Sequence, residues 1–71
     1  MNIQEIQAAP IIGNAMSDEK LMDAIHEFVI DESNSMDDRC LALQKLDQVM
    51  GVVTGLPTDD EVRDYVNDYG K

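Results

Sequence analysis

Bases are scarce in this 71-residue chain: Lys20, Arg39, Lys45, Arg63 and Lys71 face fifteen Asp and Glu, for a formal net charge of −10. Nucleic acid and anionic membrane both repel such a surface, so direct binding to either is disfavoured. Tryptophan is absent, and Phe28, Tyr65 and Tyr69 are the only aromatics, which leaves the core to Leu, Ile, Val and five Met. The single cysteine, Cys40, excludes an intramolecular disulfide and a complete cysteine-based zinc site. It fits a reducing, cytoplasmic compartment. The start of the chain lacks a basic, apolar leader, and no run approaches the length of a membrane span. Alternation of β-branched residues is missing, as is any internal repeat. These exclusions point to one small all-α domain over residues 1–71, with limited capacity to bury a core.

Apolar spacing predicts three helices, over 17–32, 35–53 and 58–69, with residues 1–16 forming a short helix or apolar arm. The first runs from about Lys20 to Asp31, with Ser17 as N-cap and Asp18 and Glu19 in the turn the helix dipole favours. Leu21, Ile25, Phe28 and Val29 share its inner face, and Ile30 projects among acids instead. Ser35 caps the second helix, with Asp38 at its third position. Met36, Cys40, Leu43, Leu46, Met50 and Val53 make a stripe broad enough for a central helix, with Gly51 as an interruption. Asp47 falls inside that arc near Cys40, and Leu41 falls outside it beside Lys45 and Gln48. Thr54-Gly55-Leu56-Pro57 breaks the chain. Thr58 with Glu61 forms a capping box for the third helix, whose Val62, Tyr65, Val66 and Tyr69 turn inward. Asn2 and Glu5 cap a short helix carrying Ile3 and Ile6, stopped before Pro10, after which Ile11, Ile12 and Met16 continue as the arm.

Catalytic constellations are thin. His26 is the only histidine, and with Asp23 it forms half of the carboxylate–imidazole pairing that di-metal bundles use; the second copy is missing. It reads as a surface histidine beside acids. Cys40 lies on an apolar stripe in an anionic chain, the reverse of what activates a thiol, and reads as a buried, inert group. The glycines match no phosphate-binding fingerprint. Asp31 to Ala42 places Met36 and Ala42 where a calcium loop needs Gly and Glu, so that reading fails. No enzyme activity, cofactor or metal is therefore expected.

Asn34-Ser35-Met36-Asp37, followed by the apolar helix to Met50 and the Leu56-Pro57 turn, resembles the serine-bearing half of acyl and peptidyl carrier proteins. Those are small acidic bundles in which an Asp-Ser-Leu motif carries phosphopantetheine, and the resemblance implies Ser35 as an attachment site. Asn34 replaces the motif's acid, and the usual preceding glycine is absent. A helix also ends just before Ser35, where carriers have a long loop. Capping by Ser35 is the stronger reading.

The most informative pattern is acidic. Glu19, Asp23, Glu27 and Asp31 recur every four residues, as do Asp60, Asp64 and Asp68. Neighbouring like charges at that spacing cost roughly 0.2–0.5 kcal/mol per pair. Successive carboxylates lie roughly 6 Å apart along the axis, close to the phosphate spacing of a nucleic-acid strand. The expectation is a small protein-binding module that docks on a basic surface and inhibits or modulates a partner such as a nucleic-acid-binding protein. Imitation of DNA, as in a phage or mobile-element protein, is its narrower form. The two rows supply charge, and Ile30, with Leu41, supplies apolar anchors. The competing class is a homodimer or larger homo-oligomer with a structural or regulatory role, because small cores often need such help.

Crowding within the rows carries its own expectation. Carboxylates that repel in the folded state titrate higher folded than unfolded, so stability falls as pH rises through the acid range and salt restores it. Melting curves at pH 5 and 7, with and without salt, read this directly; equal or greater stability at pH 7 in low salt contradicts it.

Overall fold

The computed structural model describes residues 2–9, 15–52 and 55–70, with side chains from Glu19 onward in the second stretch. Four helices follow in order: α1 (Ile3–Ala8), α2 (Ala15–Ile30), α3 (Met36–Val49) and α4 (Asp59–Tyr69), with no strand among the described residues. The N-terminal element is a helix, as one of the two sequence alternatives had it. Asn2 and Glu5 close a reciprocal capping box on it. Ile6 is fully buried from α1, and Ile3 packs against the same core. Pro10, Ile11, Ile12, Val53 and Thr54 lie outside the described residues.

Helix α2 begins earlier than expected. Its first residue is Ala15, so Ser17 falls inside the helix rather than at its cap, and Met16 belongs to the helix rather than to an arm. It also ends earlier, at Ile30, so Asp31 and Glu32 belong to the turn. Leu21, Ile25, Phe28 and Val29 are buried from it, the face the spacing selects.

Helix α3 is central, packing against α1, α2 and α4. Ser35 caps it, its Oγ accepting from the Asp38 amide at 3.3 Å. Buried residues cover most of its circumference: Arg39, Cys40, Ala42, Leu43, Lys45 and Leu46. Its end is set by Gly51 at φ +81°, which any Cβ would strain. The Gly51 amide donates to Gln48 O at 3.0 Å and the Val52 amide to Asp47 O at 2.8 Å. This is the Schellman pairing. Met50 consequently leaves the expected buried stripe and is 53% exposed.

Two buried cations on α3 serve neighbouring helices. None of the helices has a base in its own last turn. Lys45 Nζ donates to Gln7 O at 3.2 Å and Ala9 O at 2.6 Å, at the C-terminal end of α1. Arg39 Nε donates to Val29 O at 2.8 Å, at the end of α2, where Asn34 Nδ2 also donates to Phe28 O at 3.0 Å. Both cations meet the negative ends of helix dipoles and satisfy carbonyls that lack an intrahelical partner.

Helix α4 starts beside α3, where Cys40 Sγ lies 3.6 Å from Asp59 Oδ1, and its last turns reach the Met50 end of α3. The two helices therefore run the same way, and Pro57, just ahead of α4, is buried. Thr58 caps α4, its Oγ1 accepting from the Glu61 amide at 3.3 Å. Val62 is fully buried and Tyr65 and Val66 half-buried, but Tyr69 is 63% exposed. The inward face expected of α4 thus fades toward its end, where Tyr69 borders a surface concavity with Met50.

Replacing Lys45 with Met keeps the stem and removes the donor. We expect a loss of about 1.5–3 kcal/mol, the range for a hydrogen bond to a charged group, measured by urea unfolding. Amide exchange should rise first in α1; uniform exchange with unchanged stability would show that the cation does not hold that helix.

Candidate partner-binding surfaces

The seven carboxylates of the two rows, Glu19, Asp23, Glu27 and Asp31 with Asp60, Asp64 and Asp68, are all exposed. Burial of Arg39 and Lys45 removes two of the five bases from the exterior. Arg63 is bound to Asp60, Nη1 to Oδ1 at 3.1 Å, with both side chains largely exposed. Such a pair contributes little stability, but it supplies Asp60 with a cation inside its own row. Asp64 and Asp68 carry the rest of that row.

Asp31 departs from the crowding expectation. As the first residue after α2, it accepts from Ser33 Oγ at 2.7 Å and from the Ser33 amide at 2.9 Å. These two bonds, with Arg39 adding to them, hold its carboxyl below the ordinary aspartate value although desolvation works against them. The sign at this position is reversed. A carboxylate with a lowered folded pKa stabilises above its unfolded pKa, and that contribution is lost as pH falls through the folded value.

Ile30 is half-buried. It lines a recess of about 640 Å³ on the outer side of α2 and the following turn, together with Ala24, Glu27, Phe28, Asp31 and Asn34. The anchor and two row carboxylates therefore share one concavity. Leu41 is half-buried too, in a smaller recess beside Gln7, Gln44, Lys45 and Gln48.

A second concavity, of about 600 Å³, was not legible in the sequence. It lies across α2, α3 and α4 and is lined by Met22, Asp23, His26, Leu43, Leu46, Asp47, Met50, Tyr65 and Tyr69. His26 is not a plain surface histidine: its Nδ1 lies 2.7 Å from the Tyr65 hydroxyl, tying α2 to α4, and both side chains are half-buried. In the tautomer protonated at Nε2, the phenol donates and Nδ1 accepts. Burial, then proximity to Tyr69, raises the Tyr65 pKa, which keeps the phenol a donor. Tyr65 meets His26 edge-on at 5.7 Å and Tyr69 at 5.0 Å with a 42° tilt. The signal available beforehand was the aromatic pair Tyr65 and Tyr69 at helical spacing, read there as core.

Cys40 is buried, and the carboxylate against its thiol is Asp59, from another helix than the expected neighbour Asp47. Burial first, then Asp59, raises its pKa, with Asp37 and Glu61 adding to the effect. Ser35 is exposed and its hydroxyl caps α3. Among the described residues, no three His, Cys, Asp or Glu side chains converge as a metal site, and no helix is long and apolar enough to cross a membrane. The chain matches no family model, no curated protein and no solved structure.

Two outcomes follow from these environments. Ser33→Ala should raise the Asp31 pKa toward the ordinary aspartate value in a carboxyl ¹³C titration; an unmoved value would assign the shift elsewhere. Cys40 should resist a thiol reagent such as DTNB at pH 8 in the native state and react fully in denaturant. Rapid native reaction would contradict its burial.

Proposed function

We propose that this chain is a small protein-binding module that docks through its acidic helical surface on a basic surface of another protein. The observation that carries this reading is the division of charge. Row carboxylates on α2 and α4 are exposed, while Arg39 and Lys45 are withdrawn to helix ends inside the bundle. Cations placed outside would have neutralised the rows; placed inside, they leave the exterior strongly anionic. A field of this kind accelerates encounter with a basic partner and weakens as salt screens it. The recess holding Ile30 between Glu27 and Asp31 offers the apolar component that specific recognition requires.

The most concrete form is inhibition or modulation of a nucleic-acid-binding protein whose basic groove the acidic rows occupy. Support for it lies in the axial spacing of the carboxylates, roughly 6 Å per four residues, and in their exposure. Ser35, already engaged as a helix cap, has no observation favouring a carrier role over this one.

Capture of partners from a cell lysate on the tagged chain, repeated with competing duplex DNA, tests the reading. We expect a basic nucleic-acid-binding protein that DNA and salt both displace. The combined substitution Glu27→Gln, Asp64→Asn and Asp68→Asn should reduce its capture about tenfold, for a loss near 1.4 kcal/mol. A partner held equally by the neutralised variant and at high salt would overturn the proposal.

A further inference from the structure

The concavity across α2, α3 and α4 has a different composition from the acidic rows, and a charged docking face alone does not explain it. Its floor is the aliphatic surface of Leu43 and Leu46, both buried. Its walls present Met22 and His26 from α2 and Tyr65 and Tyr69 from α4, with Met50 at one end. Met50 and Tyr69 are 53% and 63% exposed, so two large apolar side chains stand uncovered at the mouth. Solvated single apolar residues are commonplace, but here they border a recess of about 600 Å³ with an apolar floor.

We propose that this groove receives a basic amphipathic helix of the partner, whose aliphatic face seats on Leu43, Leu46 and Met50. A Lys or Arg of that helix lies against Tyr69 and Asp23. The inference rests on the docking reading above and adds a second apolar contact to the one at Ile30. Three features select this occupant. The concavity presents Leu43 and Leu46 of α3 and its cap Met50 at i, i+3 and i+7, an apolar row that helix-in-groove recognition meets with anchors on one face of the docking helix. Asp23, exposed at its edge, and the overall charge of −10 favour a cation. The tilted tyrosines offer ring faces to which a guanidinium or ammonium is attracted. A second copy of this chain is a poorer fit, since it brings another −10 to the same rim.

The probe is a labelled synthetic helix of about 14 residues, ~21 Å long, with leucines on one face and lysines and arginines elsewhere. Its control is a scrambled peptide of identical composition with no apolar face. Anisotropy should show at least about tenfold tighter binding of the amphipathic peptide. Tyr69→Ala, and separately Met50→Ala, should weaken it about fivefold or more, with unchanged circular dichroism. Chemical-shift changes should centre on Met22, His26 and Tyr69. Equal binding of both peptides, unaffected by either substitution, overturns the groove while leaving charge-driven docking standing. No binding of either peptide at low salt overturns both. Light scattering that shows a dimer at all salt concentrations, broken by Tyr69→Ala, would place a second copy in the groove and overturn the basic helix.

Discussion

The C-terminal ends of α1 and α2 need positive charge that neither helix carries in its own last turn, and α3 provides it from Lys45 and Arg39. Lys45 gathers Gln7 O and Ala9 O, and Arg39 takes Val29 O. A carbonyl left bare in a protein interior costs about as much as a lost hydrogen bond, so these contacts fix how two helices end against a third. They also give the two buried cations of α3 negative partners, the helix-end carbonyls. Around that arrangement Ile6, Ile25, Val29 and Val62, all fully buried, complete the core.

Charge outside follows from charge inside. A chain with five bases that assigns two of them to internal capping keeps few to balance its surface. Arg63 answers Asp60 locally, and the remaining row positions face solvent. Asp31 shows that exposure and crowding do not dictate titration alone. Two hydrogen bonds from Ser33 outweigh desolvation there and lower its pKa, because they act on the charged form at contact distance.

Under the docking function proposed above, two concavities would divide the work of recognition. The recess around Ile30 is bordered by acids and suits a basic surface. The groove over Leu43 and Leu46 is apolar and aromatic, with Asp23 at its edge, and suits an amphipathic segment. Charge sets encounter rate and orientation, whereas desolvated apolar contact sets residence. Both concavities lie on one small bundle, and Tyr69 and Met50 stay exposed beside the second of them.

Much of the fold was legible in the residues themselves. The inner faces of α2 and the first turns of α4, the caps Asn2, Ser35 and Thr58, and the centrality of α3 all follow from local rules, because periodicity and capping act within a few residues. Exposure of the acidic rows followed from the same wheel. The start of α2 at Ala15, ahead of Ser17, and the loss of Met50 and Tyr69 from the core were not, since helix ends yield to neighbours that local pattern does not name. Nor were the pairings of Lys45 with Gln7 and Ala9, Cys40 with Asp59, or His26 with Tyr65, which join positions 19 to 39 residues apart. By itself the sequence determined an all-α chain with acidic faces, because composition and spacing are local properties. Only tertiary structure decided which cations are buried and where an open groove remains, because both depend on how helix ends meet across the bundle.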